Sequence, residues 1–83
     1  MQIEKGPLKD LYIVTPQVRG DERGFFMEIF KKSAMNDAGI TTEFVQDNHS
    51  RSSKNIIRGL HFQWDPPMGK LMRVTRGAAF LVA

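Results

Sequence analysis

The sequence contains no cysteine among its 83 residues. Disulfide bonds, zinc sites with thiolate ligands and catalytic cysteines are therefore excluded for this chain, and a reducing compartment is compatible with it. Histidine is scarce as well, because His49 and His61 are the only two and lie far apart in the sequence. A metal site would need further ligands from elsewhere, so we expect no metal.

Long apolar segments and common phosphate-binding or nucleophile motifs are missing too. No segment approaches the roughly 18 consecutive apolar residues of a membrane-spanning helix, and Met1–Lys5 lacks the apolar core of a signal peptide. The sequence has neither a GxGxxG nor a GxxxxGK[ST] loop, and it has no GxSxG turn. We therefore predict a cytoplasmic protein without a membrane partner.

The charged residues show no concentrated basic surface. Twelve Lys and Arg against nine Asp and Glu give a net charge of +3, and the longest basic run is Lys31-Lys32. Nucleic-acid-binding domains cluster their basic residues on one face or in one run. We therefore expect no nucleic-acid partner, whereas a small anionic ligand fits this charge.

Short β-prone runs separated by Gly, Pro and Ser predict a single all-β domain of sandwich or barrel type over residues 1–83, with one short helix. The helix is predicted over 31–38, with Gly39 directly after its end. Turns are predicted at 19–24 and 76–77, and loops at 49–55 and 64–69. Six strands are predicted, over 11–14, 25–30, 43–48, 56–63, 71–74 and 79–82. Because the last apolar strand has no following partner, we expect these residues to be the N-terminal portion of a longer chain.

Arg58 and His61 are the first candidates for chemistry. Regular pleating of a strand would place them on opposite faces, whereas a bulge at Gly59 would bring them together. The alternative interpretation is a solvent-exposed arginine and a core histidine with satisfied hydrogen bonds. The spacing alone leaves both interpretations open.

Four motifs occur in order along the chain, namely residues 20–28 (GDERGFFME), 44–50 (FVQDNHS), 58–63 (RGLHFQ), and Pro66-Pro67 followed by Gly69-Lys70-Leu71. Together they resemble the amino-terminal half of the dTDP-4-dehydrorhamnose 3,5-epimerase family. The resemblance implies a jelly-roll, cupin-like barrel, of which this chain is the N-terminal part. It further implies a homodimer that uses neither a metal nor an organic cofactor.

The resemblance also implies a reaction, namely epimerisation of a dTDP-4-keto-6-deoxyhexose at C3, C5 or both, in biosynthesis of the dTDP-rhamnose type. The proton removed lies next to the C4 ketone. His61 matches the catalytic base, and a neutral imidazole suits proton abstraction. Lys70 matches the position that stabilises the enolate, with Arg58 as a second candidate.

The substrate-binding positions implied by the resemblance are Arg23, Glu28, Gln46, Asn48, Arg58 and Lys70. Guanidinium groups pair well with pyrophosphate oxygens, which suits Arg23 and Arg58. Glu28 beside Phe26 suits thymine recognition, although Phe26 is equally compatible with a core position. Gln46 and Asn48 alternate onto one face of a strand.

The chain also departs from the family pattern. The family's general acid, a tyrosine, lies well downstream together with a second histidine and an aspartate, and Tyr12 is in the wrong part of the chain to replace that tyrosine. The loop 64–69 is shorter than usual, and Asn55–Ile57 replaces a more usual glycine. We therefore expect residues 1–83 alone to be inactive. A 3- or 5-epimerase, a non-catalytic nucleotide-sugar-binding protein and a structural relative remain alternatives.

Overall fold

The computed structural model describes all 83 residues. Its regular elements are four strands and one helix, which occur in the order β1 (Gln2–Lys5), β2 (Tyr12–Thr15), β3 (Val18–Asp21), β4 (Gly24–Met27) and α1 (Lys32–Asp37). The strands form two separate antiparallel sheets, β1 with β2 and β3 with β4. The prediction of an all-β chain with one short helix is thus confirmed, and the two sheets, which do not close into a barrel, are consistent with the N-terminal part of a cupin-like fold. No helix has the length and apolar character needed to cross a bilayer.

The first hairpin is held by apolar pairing and by a short closing loop. Ile3 lies opposite Val14, and both side chains are half-buried, whereas Ile13 on the other face is exposed. The backbone N–H of Gly6 donates to the carbonyl of Leu11 at 2.7 Å and closes the hairpin. Strand β1 was not predicted, because a single apolar residue among charged and polar ones carries little strand signal until it is paired with β2.

The first strand of the second hairpin, β3, extends into the segment that was predicted as a turn. Val18 lies opposite Met27 and Asp21 opposite Gly24, so that only Glu22 and Arg23 form the turn. The predicted turn over 19–24 is therefore corrected to two residues, and the strand predicted over 25–30 is shortened to β4. Gly24 has φ 130°, a backbone region that residues with a side chain rarely adopt.

Helix α1 and the residue after it agree with the prediction. Met35 is 2% exposed and is the only buried apolar residue of the chain. Gly39 has φ 86°, as expected for the residue that ends a helix, and the N–H of Ile40 donates to the carbonyl of Met35 at 2.9 Å. A helix of six residues is too short to be stable alone, so burial of Met35 is its main support.

The chain divides into two compact units, Met1–Glu43 and Phe44–Ala83. The first contains every strand and the helix, and the second has turns at 54–55 and 64–67 but no strand. The four strands predicted over 43–48, 56–63, 71–74 and 79–82 are therefore wrong for this structure. The apolar runs are present, yet Val45, Ile57 and Phe80 are more than 90% exposed. Strand propensity needs a neighbouring strand to accept its backbone hydrogen bonds, and these segments form no ladder with one another.

Candidate functional site

Phe26 in β4 and Glu28 just after β4, the two residues predicted to recognise thymine, line one pocket of the β3–β4 hairpin. Arg19 lies directly opposite Phe26 in the ladder. Glu28 follows two positions after Phe26, and the two side chains line the same pocket together with Arg19, Gln17 and Met1. This pocket has a volume of about 230 Å³. That is below the range of about 300–1,000 Å³ typical for complete ligand sites, and it therefore suits one part of a ligand.

A second pocket adjoins the first at the turn of the hairpin. It has a volume of about 250 Å³. Its walls include Asp21 and Arg23 at the turn end and the same two residues, Arg19 and Phe26, at the other end. The pair Arg19–Phe26 borders both pockets, and we call these two adjoining pockets together the hairpin recess, with Glu28 at one end and Arg23 at the other.

Arg23 is held in place at the turn by Asp21. The Asp21 carboxylate accepts the backbone N–H of Arg23 at 2.9 Å, its Nε at 3.1 and 3.2 Å, and its Nη2 at 2.6 Å. The side-chain hydrogen bond from Arg23, followed by the backbone one, lowers the pKa of Asp21 below its ordinary value of 3.8, and the same pair raises the pKa of Arg23. Asp21 thereby orients the guanidinium, whose Nη1 stays available to an anion.

In the second unit, the two predicted amides lie together. Gln46 Nε2 donates to Asn48 Oδ1 at 3.2 Å. The two side chains thus meet, although the strand that was predicted to carry them on one face is not formed. The remaining polar atoms of both side chains face solvent, since both residues are exposed.

Arg58 is fixed by the loop that precedes it. Its Nε donates to Ser52 Oγ at 2.8 Å, and its Nη2 donates to the carbonyl of Arg51 at 2.9 Å. Gly59 has φ 120°. A Cβ at this position would lie 3.9 Å from His61 Nδ1, so the space beside the imidazole would admit it and the backbone angle is what favours glycine. The proposed bulge has no strand in which to form, but the need for glycine between Arg58 and His61 is real.

His61 and Lys70 lie in exposed segments without regular structure. Neither a hydrogen bond nor an ion pair joins them to each other or fixes either side chain. The structure thus brings Glu28 and Phe26 to one pocket, Arg23 to the adjoining pocket, and Gln46 to Asn48. It leaves His61 and Lys70 without a shared site inside the second unit.

Arg19 is the pocket cation that the sequence did not single out, and Met1 and Gln17 in the first pocket were not predicted either. The segment 19–24 was predicted as a turn, and a turn gives no reason to compare Arg19 with Phe26. The available signal was the alternation of Arg19 and Asp21 across Gly20, which predicts that both lie on one face if the segment is extended.

Comparison with known proteins identifies the family. The family model described as dTDP-4-dehydrorhamnose 3,5-epimerase matches residues 5–83. Proteins named dTDP-4-dehydrorhamnose 3,5-epimerase are 51% identical in Escherichia coli K12 and 49% identical in Shigella flexneri. Both alignments cover all of this chain, with 46% of the first protein and 47% of the second. A third relative of that name, from Methanothermobacter thermautotrophicus, is 48% identical over 95% of this chain and 43% of its own length.

The chain spans about half the length of these curated relatives. No solved structure gives a significant match to it. The family match nevertheless runs through nearly the whole sequence, including the hairpin with Arg23 and Glu28 and the segments with His61 and Lys70. The chain therefore belongs to the dTDP-4-dehydrorhamnose 3,5-epimerase family.

Proposed function

We propose that the protein epimerises a dTDP-linked 4-keto-6-deoxyhexose at C3, C5 or both, as a step in deoxysugar biosynthesis of the dTDP-rhamnose type. The observation that carries this proposal is the family match over residues 5–83. The catalytic and substrate-binding positions that the resemblance implies within residues 1–83, His61 and Lys70 included, hold the expected residue types.

The proposed chemistry begins with His61 as the base. Its neutral imidazole removes the proton from the carbon next to the C4 ketone, and the electron pair of the broken C–H bond moves to the ketone oxygen as an enolate. Lys70 stabilises that oxygen as a nearby cation, with Arg58 as a second donor. Return of a proton to the opposite face, from an acid outside residues 1–83, inverts the carbon. A positioned base of this kind contributes about 10²–10⁴ in rate.

The proposed binding of the nucleotide uses the recess of the β3–β4 hairpin. Phe26 offers an aromatic face to thymine, and the carboxylate of Glu28 accepts the thymine N–H. The guanidinium of Arg23, oriented by Asp21, contacts the pyrophosphate. The amide pair of Gln46 and Asn48 supplies further hydrogen-bond donors and acceptors to the sugar or the phosphates.

The assembly around this site is proposed from the same resemblance. Residues 1–83 contribute the N-terminal portion of one jelly-roll domain, and two copies form a homodimer. The protein works in the cytoplasm, without a metal or organic cofactor, and does not act on nucleic acid or membranes. Pairing with further strands gives the apolar segments of Phe44–Ala83 the partners that they lack within this chain.

The test uses the protein at its natural length and monitors by NMR the incorporation of solvent deuterium at C3 and C5 of the dTDP-ketosugar. Wild-type protein is expected to incorporate deuterium, and His61→Ala is expected to lose most of that exchange. His49→Ala is the matched control and retains it. Unchanged exchange in His61→Ala contradicts the role of His61, and binding of dTDP without any exchange in the wild type indicates a non-catalytic nucleotide-sugar-binding protein.

A further inference from the structure

Arg19 occupies the centre of the hairpin recess. It is the one cation that lines both pockets, because the first is bordered by Arg19 and Glu28 and the second by Arg19 and Arg23. The ladder places it directly opposite Phe26, and cross-strand neighbours of this kind have Cβ atoms about 4.5–5.5 Å apart. Arg19 therefore lies beside the aromatic ring on the face that the recess occupies.

The two arginines of the recess differ in how much of their hydrogen-bonding capacity is used. Arg23 donates three hydrogen bonds from its side chain to Asp21. The guanidinium of Arg19 makes no hydrogen bond or ion pair within the chain. All five of its N–H donors are free to bind an anion, whereas those of Arg23 are partly occupied.

The order of groups along the hairpin gives Arg19 a defined ligand atom. Arg23 lies in the turn before Gly24, and Gly24 is two residues, roughly 7 Å along β4, from Phe26. Arg19, by contrast, is directly across the ladder from Phe26. A nucleotide whose base rests on Phe26 and whose phosphates extend towards the turn passes Arg19 before it reaches Arg23. The phosphate nearer to the nucleoside thus meets Arg19, and the farther phosphate meets Arg23.

We infer that Arg19 is a substrate-binding residue that contacts the phosphate group adjacent to the nucleoside of the bound nucleoside diphosphate. This inference rests on the proposed function, because it takes the ligand of the recess to be a dTDP group. It assigns the selection of a nucleotide over the free nucleoside to Arg19, and it leaves recognition of the base to Phe26 and Glu28.

The test measures binding of dTDP and of thymidine by titration calorimetry, using the protein at its natural length. Arg19→Gln is expected to weaken dTDP binding by about tenfold, the effect of losing one charge-assisted hydrogen bond, and to leave thymidine binding unchanged. Arg76→Gln removes the same charge from an exposed bend and is expected to bind dTDP as the wild type does. Arg19→Lys restores part of the affinity, since it keeps the charge.

Salt dependence provides a second readout, which does not require measurable thymidine binding. Removing one phosphate contact makes the affinity for dTDP fall less steeply as KCl is raised. Equal affinity and equal salt dependence in Arg19→Gln and wild type overturn the inference while the proposed function stands. Equal weakening of both ligands also overturns it, because that result indicates a structural role. If the wild type binds no dTDP, the proposed function itself fails and the inference fails with it.

Discussion

Gly24 is the residue on which the geometry of the hairpin recess depends most directly. It follows Arg23 and begins β4 with φ 130°, in a region that residues with a Cβ rarely adopt. A Cβ at Gly24 would meet no atom within 4 Å, so crowding plays no part and the cost of Gly24→Ala comes from the backbone angle alone. Strained backbone positions of this kind cost about 1–3 kcal/mol each.

The same hairpin offers a matched control. Gly20 does not have a positive φ, and a Cβ there would lie 3.5 Å from the carbonyl of Gly24, an ordinary van der Waals contact. Gly20→Ala is therefore expected to change the free energy of unfolding by less than about 1 kcal/mol, with a gain permitted because alanine restricts the unfolded chain.

The free energy of unfolding of both variants is measured by urea titration monitored by circular dichroism. Titration with dTDP then measures the affinity of the recess for this nucleotide. Gly24→Ala is expected to lower the free energy of unfolding by about 1–3 kcal/mol. It should also weaken dTDP binding, since a relaxed turn separates Arg23 from Asp21. If the two variants agree in stability to within about 0.5 kcal/mol, the ordinary range of surface substitutions, then the backbone angle at Gly24 is not what constrains the turn.

Two further predictions concern the helix and the ion pair. Met35→Ala should lower the free energy of unfolding by about 2–5 kcal/mol, because it removes the one buried apolar side chain. Met35→Leu should cost less than about 1.5 kcal/mol, and similar urea midpoints for the two variants would contradict this reasoning. A carboxyl NMR titration should find Asp21 with a pKa below 3.8. The stabilisation that comes from its pairing with Arg23 is therefore complete above pH 3.8 and is lost as the pH falls through the lowered pKa. Arg23→Gln should move the pKa of Asp21 back towards 3.8, while Arg73→Gln should leave it unchanged, and an unmoved pKa in Arg23→Gln would show that another group lowers it.

The elements that local signals specify were predicted well. The apolar, β-prone run over 11–14, the helix-forming run before Gly39 and the glycine itself are signals carried by adjacent residues. The structure has β2 (Tyr12–Thr15), α1 and a positive φ at Gly39 there. Strand β3 was missed, because two glycines and several charged residues within six positions indicate a turn more strongly than a strand. Pairing with β4 decided that segment.

In the candidate site, too, some residues could be predicted from local motifs, whereas others depend on the pairing between strands. The positions of Arg23, Glu28, His61 and Lys70 were recognised from motifs, since motif spacing survives in the sequence whatever the fold does locally. Arg19 could not be recognised in this way, because its place beside Phe26 depends on the register of β3 against β4. A shift of that register by one residue would turn Arg19 to the opposite face.

The sequence was sufficient for the family, the lack of cysteine in residues 1–83, the helix and the residue types of the proposed reaction, because each of these depends on composition or on residues close together in the chain. Tertiary structure was needed for what depends on pairing between distant segments. It decided that 19–21 is a strand and that Arg19, Phe26 and Glu28 share one recess. It also decided that the apolar runs after residue 43 form no ladder, since a strand exists only where another strand satisfies its backbone hydrogen bonds.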